Sequence, residues 1–133
     1  ETQLSIVSMI LGGGFDKVSS KLKICFAHGG GSFAFLLGRL ENAWHFRDIA
    51  RGKSEHPPSH YLNRFYLDTA VFDHDSLDLL TRKMGEDRLM FGTDYPFPLG
   101  EQKMGQLIKT SPFHSDDAKQ KLLASNAQQF FAL

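Results

Sequence analysis

Two polar residues in this sequence follow apolar runs in the positions where parallel α/β folds carry out chemistry. His28 ends the run Lys23-Ile24-Cys25-Phe26-Ala27, and Asp94 follows Arg88-Leu89-Met90-Phe91-Gly92-Thr93. An imidazole titrates near neutrality, so at a strand end it can move a proton or hold a metal. A carboxylate in the same kind of place can bind a divalent cation or take a proton from a metal-bound water. Each is followed by residues that free the backbone or fix a turn: Gly29-Gly30-Gly31 after His28, Pro96 and Pro98 after Asp94. Purely local roles exist for both, since a His before glycines can cap a turn and an Asp before Tyr-Pro can form an Asx-turn. Position alone leaves both alternatives open.

Other polar side chains have more ordinary expectations. His45, between Trp44 and Phe46, is expected to stack or to serve an interface. Asp73-His74-Asp75 has metal-ligating residue types but stands where a helix needs a cap, so Asp73 or Asp75 is expected to cap. His56, His60 and His114 lie in loop-like sequence and are expected to face solvent. Asp68 interrupts an apolar strand, so it is expected either to line an interior or to bond a neighbouring backbone. Cys25 reads as a small core residue and not as a nucleophile. Arg39 and Arg47 are eight residues apart, and if the helix continues that far they project from roughly one side. Without further information they read as solvated charges, like Arg51 and Lys53.

The elements that would position these residues alternate. Leu4, Val7 and Leu11 share a helical face, and Gly12-Gly13-Gly14 ends that helix. Strands are expected at 23–27, 65–71 and 88–91. Phe33, Leu36, Leu37 and Leu40 make one side of a helix over 33–44, and 48–60, with Gly52, Pro57 and Pro58, reads as a loop. Leu77, Leu80 and Met84 repeat at helical spacing up to Gly85. A short helix follows around Met104, Leu107 and Ile108, and Ser115 caps a final one whose first turn holds Asp116 and Asp117. Such alternation implies a parallel sheet with crossover helices. Three strands suit either a small α/β sheet or part of a (β/α)8 barrel, which needs ~250 residues when complete.

Composition narrows the partners. The 133 residues hold fifteen acidic and fifteen basic side chains, so no field-driven attraction to nucleic acid or membrane is expected. No apolar run approaches the ~18 residues of a membrane span. The single cysteine cannot form an internal disulfide, and a cytoplasmic location is expected. The start, Glu1-Thr2-Gln3-Leu4, carries no signal-peptide pattern and reads as a chain beginning inside a domain. Twelve phenylalanines imply a large-ringed core, an interface or an apolar pocket.

Taken together, Phe26-Ala27-His28-Gly29-Gly30-Gly31, Gly38-Arg39 and Gly92-Thr93-Asp94-Tyr95-Pro96-Phe97-Pro98-Leu99-Gly100-Glu101 resemble the 2-amino-3-carboxymuconate 6-semialdehyde decarboxylases of the amidohydrolase superfamily. The resemblance runs from Ser8-Met9-Ile10 to Asn126-Ala127. It implies a TIM barrel of the metal-dependent hydrolase type, of which residues 1–133 are the C-terminal portion with about the last three β/α units. It also implies a zinc-dependent decarboxylase, a carbon–carbon lyase of tryptophan catabolism, acting as a homodimer on a small dicarboxylate. On that resemblance Asp94 matches a metal ligand, and His28 matches the histidine beside the metal. Arg39 and Arg47 match arginines that hold substrate carboxylates, in the family reaching from the neighbouring subunit. Phe97 matches an aromatic wall of the substrate pocket.

The sequence departs from the family pattern in two places. It has no His-x-His pair, and Ala34 stands where the family tends to have proline. One carboxylate with one histidine does not make a three-ligand catalytic zinc site. These residues alone are therefore expected to be catalytically incomplete. Two alternatives remain: a related decarboxylase or hydrolase of hydroxybenzoate-like acids, and a fragment that acts only by pairing with another subunit.

Overall fold

A computed structural model describes residues 1–133. Its helices are α1 (Thr2–Leu11), α2 (Gly14–Lys17), α3 (Phe33–Phe46), α4 (Asp48–Arg51), α5 (His74–Met84), α6 (Gln106–Lys109), α7 (Asp116–Gln120) and α8 (Asn126–Phe131). The strands are β1 (Cys25–Phe26), β2 (Tyr66–Asp68) and β3 (Leu89–Met90). All pairing is parallel, in the order β1-β2-β3, with Phe26 opposite Leu67 and Leu67 opposite Leu89. The α/β alternation expected from the sequence is present, with strands shorter than the apolar runs that mark them.

Side chains in register share a face of the sheet, because successive residues of a strand alternate sides. Phe26, Leu67 and Leu89 therefore lie on one side, which the helices cover. Leu67 and Leu89 are fully buried there with Ile6, Ile10, Phe33, Leu77, Ile108 and Leu122. Four of the twelve phenylalanines meet in this core, whereas six are exposed. Phe65 meets the rings of Phe15, Phe26 and Phe33 at centroid distances of 5.6, 5.5 and 5.7 Å. Offset and edge-on arrangements at such distances are the favoured ones.

Several caps form where the residue types call for them. Asp73 accepts from the Ser76 N–H and caps α5, and Ser115 accepts from the Ala118 N–H and caps α7. A π-turn over Lys121–Ser125 joins α7 to α8, so the final helix is continuous. The Leu122 carbonyl in that turn accepts the Phe91 N–H at 2.9 Å, just beyond β3. Asn126, buried, donates to the carbonyls of Glu86 and Leu89 and ties the same helix to the start of β3.

The structure corrects three expectations. In α1 the buried residues are Ile6 and Ile10, and Leu4 is exposed, so the inward face lies beside the Leu4–Val7–Leu11 stripe. Residues 48–60 are not simply loop, since α4 and a 3-10 segment beginning at Pro58 fall there. Arg51 is not a free charge. It donates to the carbonyls of Trp44 and His45 and lies 5.0 Å from the Trp44 ring, closing the C-terminal end of α3.

Candidate functional site

The C-terminal ends of the three strands converge on one small region. His28 follows β1 and Asp94 follows β3, and His28 Nε2 lies 3.5 Å from Asp94 Oδ1. The imidazole is more than half exposed, while the Asp94 side chain retains only 14% of its exposure. Both residues have left-handed backbones, with φ of 58° and 62°. Such values are uncommon for residues bearing a Cβ and cost of order 1–3 kcal/mol, so surrounding contacts must hold them. Strict alternation would send His28 to the helix-covered side with Phe26. The left-handed turn instead brings its ring to Asp94.

Asp68, the last residue of β2, sits between these two. Its Oδ1 accepts from the Gly29 N–H at 2.8 Å and the Ala70 N–H at 3.1 Å. Asp68 thus bonds a neighbouring backbone, one of the two roles expected for it. Gly29, Gly30 and Gly31 continue the left-handed run begun by His28, with φ of 57°, 73° and 62°. A Cβ on Gly29 would collide with Val71 and Leu80, so the glycine is needed for space as well as for conformation.

After Asp94 the chain forms a strap. Phe97 N–H donates to the Asp94 carbonyl, Glu101 N–H donates to that of Thr93, and Tyr95–Pro96 is a cis peptide. The Glu101 carboxylate accepts the N–H groups of Gly105 and Leu107 and anchors the strap to α6. Tyr95, Phe97 and Leu99 are all exposed along it. Arg39 and Arg47 come close together, but not by helical spacing, since α3 ends at Phe46 and the Arg47 backbone is extended. With Asn42, Ala43 and Phe46 they line a shallow depression on α3, and neither guanidinium enters a salt bridge. That depression contains neither His28 nor Asp94, so within this chain the arginines and the strand-end pair occupy separate places.

Two expectations about lesser candidates fail. His114 does not face solvent. It is buried, with Nδ1 2.6 Å from Ser111 Oγ and Nε2 2.7 Å from Thr81 Oγ1. The Thr81 hydroxyl donates its proton to the Leu77 carbonyl, which leaves it to accept from Nε2; in the neutral ring Nδ1 then accepts from Ser111. Burial holds its pKa below the usual histidine value. A loop-like sequence carries no signal for this, because the partners come from α5 and from Ser111. Cys25 is exposed and not in the core, since it lies on the face of β1 opposite Phe26. Its sulfur is nonetheless crowded enough by protein, with Asp68 adding to the effect, that its pKa is pushed up to about 11.

The remaining candidates behave as expected. His45 pairs with Glu41 at 3.4 Å and meets the Trp44 ring edge-on. His56 and His60 are exposed and stack at 4.0 Å. Sequence reasoning missed Tyr61, buried, whose hydroxyl donates to the Asp16 carboxylate and ties the segment before β2 to α2.

A metal would find one suitable oxygen donor at the strand ends. The Asp94 carboxylate accepts no backbone or cationic hydrogen bond, and its close polar neighbour is an imidazole, so oxygen and nitrogen donors of the kinds zinc or manganese accept lie side by side. No three His, Cys, Asp or Glu side chains converge anywhere in the chain. The site fits a metal as a partial ligand set only.

The sequence is 45% identical to the 2-amino-3-carboxymuconate-6-semialdehyde decarboxylase of Dictyostelium discoideum over 134 aligned positions, covering 100% of this chain and 37% of that protein. The chain thus spans a little over a third of that relative's length. The 5-carboxyvanillate decarboxylase of Sphingomonas paucimobilis superposes over 98% of this chain and 39% of its own, with a TM-score of 0.83 at 28% identity. The dihydroxybenzoic acid decarboxylase of Polaromonas, solved with manganese and 2-nitroresorcinol bound, covers 98% of this chain and 40% of its own at 25% identity and a TM-score of 0.84. The Amidohydrolase family matches residues 1–133, the whole of the chain, and the chain belongs to that family.

Proposed function

We propose that residues 1–133 contribute the last three β/α units of an amidohydrolase barrel and that the protein so formed is a metal-dependent decarboxylase. The observation that carries this reading is the meeting of His28 and Asp94 at the C-terminal ends of parallel strands, 3.5 Å apart. Asp94 is assigned as a metal ligand and His28 as the proton-transfer residue beside it. The further metal ligands come from outside these residues, because one carboxylate and one imidazole do not complete a catalytic site. When bound, a divalent metal supplies Lewis acidity and a water of lowered pKa.

The chain's own residues then have defined tasks. Loss of carbon dioxide leaves an electron pair on the substrate's unsaturated skeleton, and a proton must be placed on carbon. His28, more than half exposed at the mouth, can hold and deliver that proton. Arg39 and Arg47 carry unpaired guanidiniums that suit carboxylates bidentately. Since they occupy a depression apart from His28, they are assigned to the active site of a second subunit in a homodimer. Phe97, exposed on the strap after Asp94, is assigned to the pocket wall.

The substrate proposed is 2-amino-3-carboxymuconate 6-semialdehyde and the metal zinc, supported by the 45% identity to a decarboxylase of that name. Likeness to 5-carboxyvanillate and dihydroxybenzoic acid decarboxylases favours a second reading, a hydroxybenzoate acid with manganese. Carbon dioxide release from both acid classes, measured on protein reconstituted with either metal, tests the two together. Turnover of the muconate semialdehyde with zinc is expected. Turnover of only the benzoates would reverse the order, and release from neither would sink the decarboxylase reading.

A further inference from the structure

We propose that Asp68 is a positioning residue, one that turns the His28 imidazole toward Asp94 by holding the peptide between His28 and Gly29. The proposal rests on the reading of His28 and Asp94 as the reacting pair. A carboxylate at the end of the central strand is costly unless its hydrogen bonds are made, and Asp68 makes two through Oδ1. The Ala70 bond is local, two residues along the chain. The Gly29 bond is not, since it spans 39 positions and crosses from β2 to the turn after β1.

That crossing bond acts on a specific rotation. The Gly29 N–H belongs to the peptide that follows His28, so holding it, with β1 fixed on the other side, restrains φ and ψ of His28 together and with them the direction of the Cα–Cβ bond. His28 has φ of 58° and begins four consecutive left-handed residues. Relaxing to an ordinary extended conformation would return its ring to the side of Phe26, away from Asp94. Within the turn, Gly30 N–H donates to Ala27 and Gly31 N–H donates to His28. The side-chain hydrogen bond that ties this turn to β2 is the one to Asp68.

Asp68 also bears on the other limb. A Cβ on Gly92 would lie 2.8 Å from Asp68 Cβ and 3.1 Å from Oδ2, so Asp68 packs against the bare backbone of Gly92, two residues before Asp94. One side chain therefore sets the spacing of both strand ends. What the arrangement uses is an acceptor oxygen of the right reach; Asn supplies it, Ala removes it, and Glu moves it by a methylene into Gly92.

The test compares Asp68→Ala, Asp68→Asn and Asp68→Glu in the metal-loaded protein, reading kcat and KM separately, metal content, thermal midpoint and hydrogen exchange of the Gly29 amide. Misplacing a reacting group by about 1 Å can cost about 100-fold in rate. Asp68→Ala is expected to lose kcat on that scale, with KM and bound metal near wild type and with fast exchange at Gly29. Asp68→Asn is expected to recover most of kcat and the slow exchange. Wild-type kcat in Asp68→Ala, or a loss in Asp68→Asn equal to that in Asp68→Ala, would overturn the proposal. If Asp68→Ala does not fold, Asp68→Glu takes its place: reduced kcat with fast Gly29 exchange supports positioning, and wild-type behaviour overturns it. If the wild-type protein decarboxylates nothing, the functional reading has failed by itself. Gly29 exchange then decides the positioning claim alone, slow in Asn and fast in Ala or Glu if it holds, unchanged in all if it does not.

Discussion

The two faces of one three-stranded sheet are built on different principles. Toward the helices, Leu67 and Leu89 are fully buried among apolar neighbours, and Phe65 just before β2 sits inside a cluster of rings. Toward the other side, Cys25 and Ala27 are exposed, Tyr66 and Asp68 are half-buried, and Met90 is buried. The first face contributes stability by removing apolar area from water, ~25 cal/mol per Å². The second carries the polar and strained residues and ends in His28, Asp68 and Asp94. What separates them is partnership within the chain: α1, α3 and α5 complete the helix-covered face, whereas most of the other face is left uncovered.

Substitutions on the two faces should separate activity from stability. The largest effect is expected at the strand ends. His28→Ala should lower kcat by ~10²–10⁴-fold, the usual span for a lost acid–base group, with bound metal retained. Asp94→Ala should lose activity and metal together, as measured by elemental analysis of the purified protein. Equal metal loss in both variants would break the assignment of different roles to the pair.

Leu67→Ala, on the helix-covered face, should destabilise by about 2–5 kcal/mol in denaturant unfolding, because the packed core around it collapses only partly into the space. A loss of activity without a loss of stability there would blur the comparison.

A smaller effect is expected from pH. Burial holds the His114 pKa below its unfolded value, so at neutral pH both states are uncharged and the contribution is fully present. As pH falls below the ordinary histidine range of about 6.5, the unfolded chain takes up the proton first. Stability is lost from there down to the folded pKa, then levels off. The thermal midpoint should therefore drop between neutral and mildly acidic pH, and His114→Gln should flatten that drop. A slope unchanged by the substitution would place it in other groups.

The smallest effect is expected at Cys25. Cys25→Ser should change stability by no more than ~0.5 kcal/mol, as for other exposed sites. With its pKa pushed up to about 11, the wild-type thiol should alkylate slowly at pH 8 despite its exposure and faster as pH rises toward that value.

Much of this protein was legible along the chain, and the reasons are local. Short apolar runs mark the three strands, helical spacing marks Leu77, Leu80 and Met84, and Asp73 and Ser115 cap helices through N–H groups three residues away. His28 and Asp94 could be singled out because strand ends announce themselves in the pattern of residue types, and the resemblance around them led to a family that the comparisons then showed. Contacts between distant segments were not legible. His114 looks like a loop residue until Thr81 and Ser111 close around it, and Arg51 looks like a free charge until α3 ends beside it. Cys25 sits in an apolar run, but whether that face is covered depends on what packs there. The meeting of His28 with Asp94 belongs to the same class. Sequence placed each at the end of a strand, but alternation alone points His28 the other way. A left-handed turn, tied to β2 through Asp68, brings the two together, because a side chain's direction depends on backbone angles that only long-range hydrogen bonds and packing can hold.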